Sequence, residues 1–210
     1  MKKYKFFTNF DEEEAWLKAM AKQGSRFVKK TSFGYEFEPA EPEDAEIRID
    51  YRTFKRQDDF EDYRALFEDS GWDHIAGTKS SGHQYFKKSG KVGGEEIFSD
   101  VDSRAGRYKR LSDMWATLAC CFVPLFAVLV STDAIDPGVL LDPKSLYYTP
   151  GLWSLTGAAF WRAFLFETPF VLVRGLFWIF IPVMIFLYLY FSARANKQYK
   201  KTQDDKIIRH

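Results

Sequence analysis

Two stretches of 19 residues, Met114–Thr132 and Gly175–Ala193, contain no Lys, Arg, Asp or Glu. At about 1.5 Å per residue, each would form a helix roughly 28 Å long, close to the ~30 Å hydrocarbon core of a bilayer. The chain as a whole is 28% charged, so charge this scarce is a regional property. Residues 1–110 hold 21 Lys/Arg and 22 Asp/Glu, while residues 111–210 hold only 9 and 7. This partition predicts a soluble domain over residues 1–98 and a membrane hairpin behind it.

The first half has the punctuation of an α+β domain. Tyr4–Phe7 is a short aromatic run suited to a strand. Thr8-Asn9 ahead of Asp11-Glu12-Glu13-Glu14 is a helix start, because carboxylates offset the positive end of the helix dipole. Trp16, Leu17, Met20 and Ala21 form its apolar stripe and Gly24 its stop. Two alternating runs follow, Phe33, Tyr35 and Phe37 and then Ile47, Ile49 and Tyr51, which are strands with one buried face. Between them, Pro39–Asp44 is a polar turn. A second helix starts at Asp58-Asp59, carries Phe60, Tyr63, Leu66 and Phe67, and ends at Gly71. A hairpin of Trp72–Ala76 and His83–Lys88 then turns around Gly77 and Gly82. The helix-closing glycines lie 47 residues apart, and each is followed 10 or 11 residues later by another glycine and an aromatic strand. The pattern predicts two β-α-β-β-like halves in a ferredoxin-like, split-βαβ α+β domain. Trp16 and Met20 are its expected core anchors, and residues 1–98 are expected to fold alone.

Alternation also assigns faces. If the aromatic and Ile positions pack under the helices, the open face carries Glu36, Glu38, Arg48, Asp50 and Arg52. Such a face is either solvated or a docking surface, and it is the candidate partner face of the domain. A base-stacking sheet would need exposed aromatics there, and the near-zero charge of residues 1–110 lacks a nucleic-acid footprint. His74 and His83 can approach each other across their hairpin, but no third ligand at metal spacing accompanies them. Gly90, Gly93 and Gly94 read as a flexible connector, and Ser80-Ser81-Gly82 does not match a nucleophile elbow. The expectation is a non-enzymatic protein without a cofactor or metal.

In the second half, Ser99-Asp100 is a suitable cap for a juxtamembrane helix over residues 99–113. Spans follow at residues 114–132 and 168–193, with a basic tail over 194–210. Arg104, Arg107, Lys109 and Arg110 precede the first span, and Arg194, Lys197, Lys200 and Lys201 follow the second. Positive charge at these ends orients both toward the cytosol. The segment 133–167 is then external, with a Trp- and Phe-rich helix at 152–166 lying in the interface and Arg174 snorkelling to the same level. A third span there would bury Arg162 at ~2.5–3.5 kcal/mol. Cys120 and Cys121 are small apolar fillers of the first span. Pro124 and Pro182 kink the two spans at similar depth. Neither stretch holds the acidic, His, Asn or Gln side chains that ion translocation needs.

Read in order, Asp11-Glu12-Glu13-Glu14-Ala15-Trp16-Leu17, Gly24, Phe33-Gly34-Tyr35-Glu36-Phe37, Ile47-Arg48-Ile49-Asp50, Ser70-Gly71-Trp72-Asp73 and Tyr85-Phe86-Lys87-Lys88 form one string. With Glu95–Asp100, Ser103 and Tyr108-Lys109-Arg110 behind it, residues 1–110 resemble the bacterial domain-of-unknown-function family numbered 2812. The resemblance implies a soluble domain ahead of membrane spans and frequent encoding beside PadR-type regulators, and it brings no enzymatic activity with it. Ser25 and His83 depart from the pattern, where relatives often place an aromatic. The expectation is a binding or regulatory module of the bacterial cytoplasmic membrane. Its partners would be the lipid bilayer and an unidentified cytosolic protein or small ligand. The alternative is an accessory subunit of an envelope transport or lipid-handling system acting through the aromatic hairpin.

Overall fold

The computed structural model describes residues 1–89, 97, 101–134, 136–140 and 142–208. The Gly90–Gly94 connector, the Ser99-Asp100 cap and His210 lie outside these residues. The chain divides into two units, Met1–Asp113 with Phe191–His210, and Met114–Tyr190.

In the first unit, strand β1 (Lys2–Lys3) leads to helix α1 (Phe10–Lys22) and strands β2 (Ser25–Thr31) and β3 (Gly34–Pro39). Strand β4 (Ile47–Tyr51), helix α2 (Gln57–Asp69) and strands β5 (Trp72–Ala76) and β6 (His83–Lys88) repeat that order. The two antiparallel sheets, β1-β3-β2 and β4-β6-β5, also share one strand order. Asn9 caps α1 by accepting the Asp11 amide, with Asp11, Glu12 and Glu13 in the first turn. The chain leaves each helix through a glycine at positive φ, Gly24 at 75° and Gly71 at 85°, where a Cβ would strain the turn. The repeat extends to irregularities. The ladder slips at Val28 in β2 and at Ile75 in β5, each four residues past its helix-closing glycine.

Several local expectations change. The first strand is Lys2–Lys3, because its partner β3 begins at Gly34 and offers nothing opposite Lys5–Phe7. Strand β2 escapes the alternation test, since Phe27 is its one aromatic among basic residues. Its exposed side is held by Arg26–Glu38 and Lys29–Glu36 ion pairs across to β3. Leu17 and Met20 are buried in α1 while Trp16 is half-buried, packed against Phe7, Tyr35 and Phe37. Phe33 and Leu66, expected inside, are exposed.

The core has two compartments. Phe27 packs its ring at an angle against Tyr35, Phe37 and Tyr85, joining the two sheets under α1. Phe60, Tyr63, Trp72 and Phe86, with Phe54, Phe67 and Ile97, fill the other side of β6 under α2. Strand β6 is therefore covered on both faces, with Gln84, Tyr85 and Phe86 all buried.

Helix α3 (Val101–Ser131) runs through the first uncharged stretch, and helix α4 (Gly157–Ile208) runs through the second. Both are long and apolar enough to cross a bilayer, with almost none of the side chains in their apolar windows buried. The separate helices expected at 152–166 and 168–193 are one: after a 3-10 turn at Leu152–Ser154, α4 continues for 52 residues, about 78 Å. Pro169 forfeits one amide bond, but the neighbouring polar groups are satisfied. Thr168 Oγ1 donates back to the Phe164 carbonyl, and the Glu167 carboxylate accepts the amides of Tyr148 and Thr149. Arg174, expected to snorkel, instead donates to the Leu146 carbonyl and lies 3.7 Å from the Tyr148 ring centre.

Candidate functional site

Strand β4 is an edge strand, and an edge leaves backbone groups that need partners. The side chains that cover it come from α1 and α3. The Ile49 amide donates to Glu14 Oε1 at 3.0 Å, and the Ile49 carbonyl accepts from Arg107 Nη1 at 2.7 Å. One turn on, the Tyr51 carbonyl accepts from Arg110 Nε. Arg107 is 0% exposed. Its guanidinium pairs with Glu14 and with Asp11 (2.7 Å), and lies over the rings of Phe10 and Tyr108. Arg104 reaches the same Asp11 oxygen at 3.0 Å, and the Tyr108 hydroxyl donates to Asn9 Oδ1 at 2.6 Å. Arg110 pairs with Asp50, which also accepts the Tyr63 hydroxyl. Burial alone would raise the Asp11 carboxyl, yet Arg107 and Arg104 beside it hold it below the ordinary aspartate range.

This clamp is what a buried arginine requires. Its planar fork satisfies two carboxylates and a carbonyl at once, and without them the charge would be stranded in a low-dielectric interior. Arg104, Arg107 and Arg110, expected as flanking charges, are engaged inside the domain. Lys109, which pairs with Asp113, and Arg194, Lys197, Lys200 and Lys201 are exposed. The ends of the two apolar stretches also meet here. Ser112 Oγ and Ser192 Oγ each donate 3.0 Å to the other residue's carbonyl.

The residues of the expected partner face do not share one sheet. Glu36 and Glu38 lie on β3 in one sheet, and Arg48 and Asp50 lie on β4 in the other. Helix α2 covers the β4 side, so Asp50 is buried against Tyr63. Arg52, just past β4, lies over the rings of Phe54 and Tyr63, and Arg48 pairs with Glu46 and Glu14. The two histidines face different compartments. His74 bonds Gln84 and packs on Phe60 and Phe86, while His83 sits among Phe10, Tyr51 and Tyr85. Behind His83, the buried Glu13 carboxylate accepts Tyr85 Oη at 2.6 Å and Lys30 Nζ at 3.2 Å.

Several concavities of about 380 to 470 Å³ have the size of ligand pockets, and two of them contrast in their lining. A groove of about 460 Å³ opens where the two bulges meet. Val28, Ile75, Phe27 and Ile47 supply apolar lining, and Arg26, Glu38, Asp73 and Lys87 supply charge. In the second unit, an almost wholly apolar crevice of about 470 Å³ lies between Phe126, Val139, Leu146, Trp178, Pro182 and Phe186. Pro182 thus lines a cavity. Pro124 lies in α3 two residues from Phe122, whose ring packs on Tyr188.

Sequence reasoning missed the clamp because its halves lie 93 to 96 residues apart and each has a local explanation. Acids at a helix start read as caps, and arginines ahead of an apolar stretch read as orientation signals. The Arg-x-x-Arg-x-x-Arg spacing of 104, 107 and 110, one helical face, was the available signal.

Residues 9–120 match the model of a family described as "Protein of unknown function (DUF2812)". The matched stretch encloses both halves of the clamp, from the Asn9 cap to α3. No curated protein and no solved structure matches the chain.

Proposed function

This chain belongs to the DUF2812 family, and on that premise we propose that it is a membrane-anchored, non-enzymatic binding and regulatory module. Its α+β domain, of ferredoxin-like type, binds a cytosolic protein or small ligand, and the clamp ties that domain to α3. The carrying observation is Arg107, buried in the domain and placed seven residues before the first uncharged stretch. A change in the sheet edge at Ile49 or in α1 at Glu14 must alter the seat of α3, since the same guanidinium bonds both. The groove at the two bulges is the binding surface, with mixed charge around an apolar floor. It replaces the single charged sheet face expected from alternation.

In this reading the protein is a two-span protein of the bacterial cytoplasmic membrane. Residues 1–113 and 194–208 face the cytosol, and residues 133–167 lie outside. The reciprocal Ser112–Ser192 bonds support it, because they hold the near end of α3 and the far end of the α4 span together. An odd number of spans would put those serines on opposite sides. The second reading, an accessory subunit of a transport or lipid-handling system, draws support from the apolar crevice beside Pro182.

Photo-crosslinking in cells separates the two. A benzoylphenylalanine probe at Arg26 or Asp73 on the groove rim should yield a discrete adduct with a cytosolic component. Adducts formed only from a probe at Trp161 would favour the envelope reading and overturn ours.

A further inference from the structure

Three large aromatic side chains stand in solvent at one corner of the α+β domain. Tyr4 is 77% exposed, Phe6 74% and Phe33 85%. Phe33 lies in the turn of the β2–β3 hairpin, and Lys3 pairs with Tyr35 close to that turn. The chain leaving β1 passes directly beside the hairpin tip. A Cβ on Gly34 would collide with the Lys3 carbonyl oxygen and touch Tyr4 Cα. The three rings therefore project from two adjoining backbone segments. Scattered single exposures are ordinary, but a contiguous apolar patch marks an interaction surface.

The charge around these rings is basic. Lys2 and Lys3 precede Tyr4, Lys5 stands between Tyr4 and Phe6, and Lys29 lies on β2 in the same sheet. Lys2 and Lys29 share Glu36, at 3.4 and 3.3 Å. Lys5 lies over the rings of Phe7 and Trp16, and Lys3 makes no ion pair among the described residues. Exposed aromatics set among lysines are the composition of a membrane-surface contact: rings enter the headgroup boundary and ammonium groups meet anionic headgroups. A second, independent observation points to the same partner. The Phe6 ring meets Phe191 of α4 at a centroid distance of 6.0 Å. Phe191 lies in the last turn of the uncharged Gly175–Ala193 stretch, just before Arg194. Phe6 is thus held at the level where that apolar stretch ends and basic residues begin, which in a span is the membrane–water interface.

We infer that Tyr4, Phe6 and Phe33, with Lys2, Lys3, Lys5 and Lys29, dock the α+β domain onto the anionic lipid surface of the bilayer that its own helices cross. The inference rests on the membrane reading above. Docking gives the domain a second attachment besides the clamp, so that Phe6 and α1, three residues apart around the Asn9 cap, register the lipid surface and the sheet edge together.

The test uses the full chain in nanodiscs, with benzoylphenylalanine at one exposed position at a time. A probe at Phe33 should form phospholipid adducts at least tenfold more often than one at Glu41, at the opposite end of β3. Adduct yield should rise when phosphatidylglycerol replaces phosphatidylcholine and fall with added salt, because the lysine contribution is screened. A probe at Phe186, inside the α4 span, is the internal standard. Lipid adducts at Phe186 with none at Phe33 would overturn the docking surface and leave the membrane reading intact. Absence of lipid adducts at both would remove the membrane reading and the inference with it. Adducts at Phe33 to a second copy of the chain would mean that the patch is a subunit contact, also against the inference.

Discussion

Arg107 shows how a single side chain can set the limits of a domain. Its partners Asp11, Glu14 and the Ile49 carbonyl belong to two elements that no local rule links to α3. Removing one member of a buried ion pair strands the other, at a cost of about 3–5 kcal/mol. Arg107→Met should therefore lose most of the stability of the α+β domain in urea unfolding followed by circular dichroism. Combining it with Glu14→Gln should recover part of that loss, since the stranded carboxylate is gone. Additive losses in the double variant would show that the two side chains do not act as a pair. His83 offers a pH test at the same scale. Burial among three aromatic rings, with Lys30 adding to it, pushes the imidazole from the ordinary 6.5 down to about 3. The unfolded chain takes up a proton as pH falls below 6.5 and the folded chain does not, so the stability present at neutral pH is lost toward acid. Between pH 6.5 and 5, above the carboxylate range, stability should fall by at most ~1.4 kcal/mol per unit. His83→Gln should flatten that slope, and His74, lowered by burial and hydrogen-bonded to Gln84, leaves a residual one of the same sign. A slope unchanged in His83→Gln would mean that the ring titrates normally.

The boundary expected at residue 98 cuts through the clamp at the element scale. Helix α3 gives the first unit Ala105, Arg107, Tyr108 and Leu111 as buried residues, and the unit runs to Asp113. A fragment of residues 1–98 lacks the cover of the β4 edge and leaves Glu14 buried without Arg107. It should give broad, non-cooperative thermal unfolding and aggregate through its open edge, whereas residues 1–113 should melt cooperatively. A sharp transition for residues 1–98 would show that α3 is an accessory to the fold. Elsewhere the elements follow local rules closely. Both amphipathic helices stop at their glycines, the β5–β6 hairpin turns between Gly77 and Gly82, and the two halves repeat even in their bulges. The least patterned pieces, β1 and β2, depend on partners that a local reading cannot see.

For the molecule as a whole, orientation is the checkable property. A reporter joined after residue 208 should behave as cytosolic, and one inserted beside Lys144 as external. In the proposed two-span reading, the reciprocally bonded Ser112 and Ser192 lie on one side. An external reporter after residue 208 would demand a break in α4 and a third span through Leu152–Phe166. Continuity of α4 argues for the simpler path, since Glu167 and Arg174 are bonded to the backbone of residues 146–149.

Quantities set by neighbours along the chain were legible before any coordinates. Charge depletion marked the two apolar helices, caps and glycines marked α1 and α2, period-two alternation marked β3 and β4, and the 47-residue spacing marked the repeat. Each depends on contacts within a few residues, where side-chain chemistry and backbone geometry leave few choices. The tertiary structure alone decided which faces stay open. The charged side of β4 was expected to meet solvent, but the sheet divides, α2 covers that side, and Asp50 becomes a buried acceptor for Tyr63 and Arg110. Alternation can say that two faces of a strand differ, but not how many layers will cover them. The long helix at 157–208 likewise depends on what its polar groups find beside them, because a proline ends a helix in isolation and not where neighbouring turns supply the bonds. For the same reason the clamp had no local signature: its arginines and carboxylates each had a sufficient explanation at home, and only folding brought them within 3 Å.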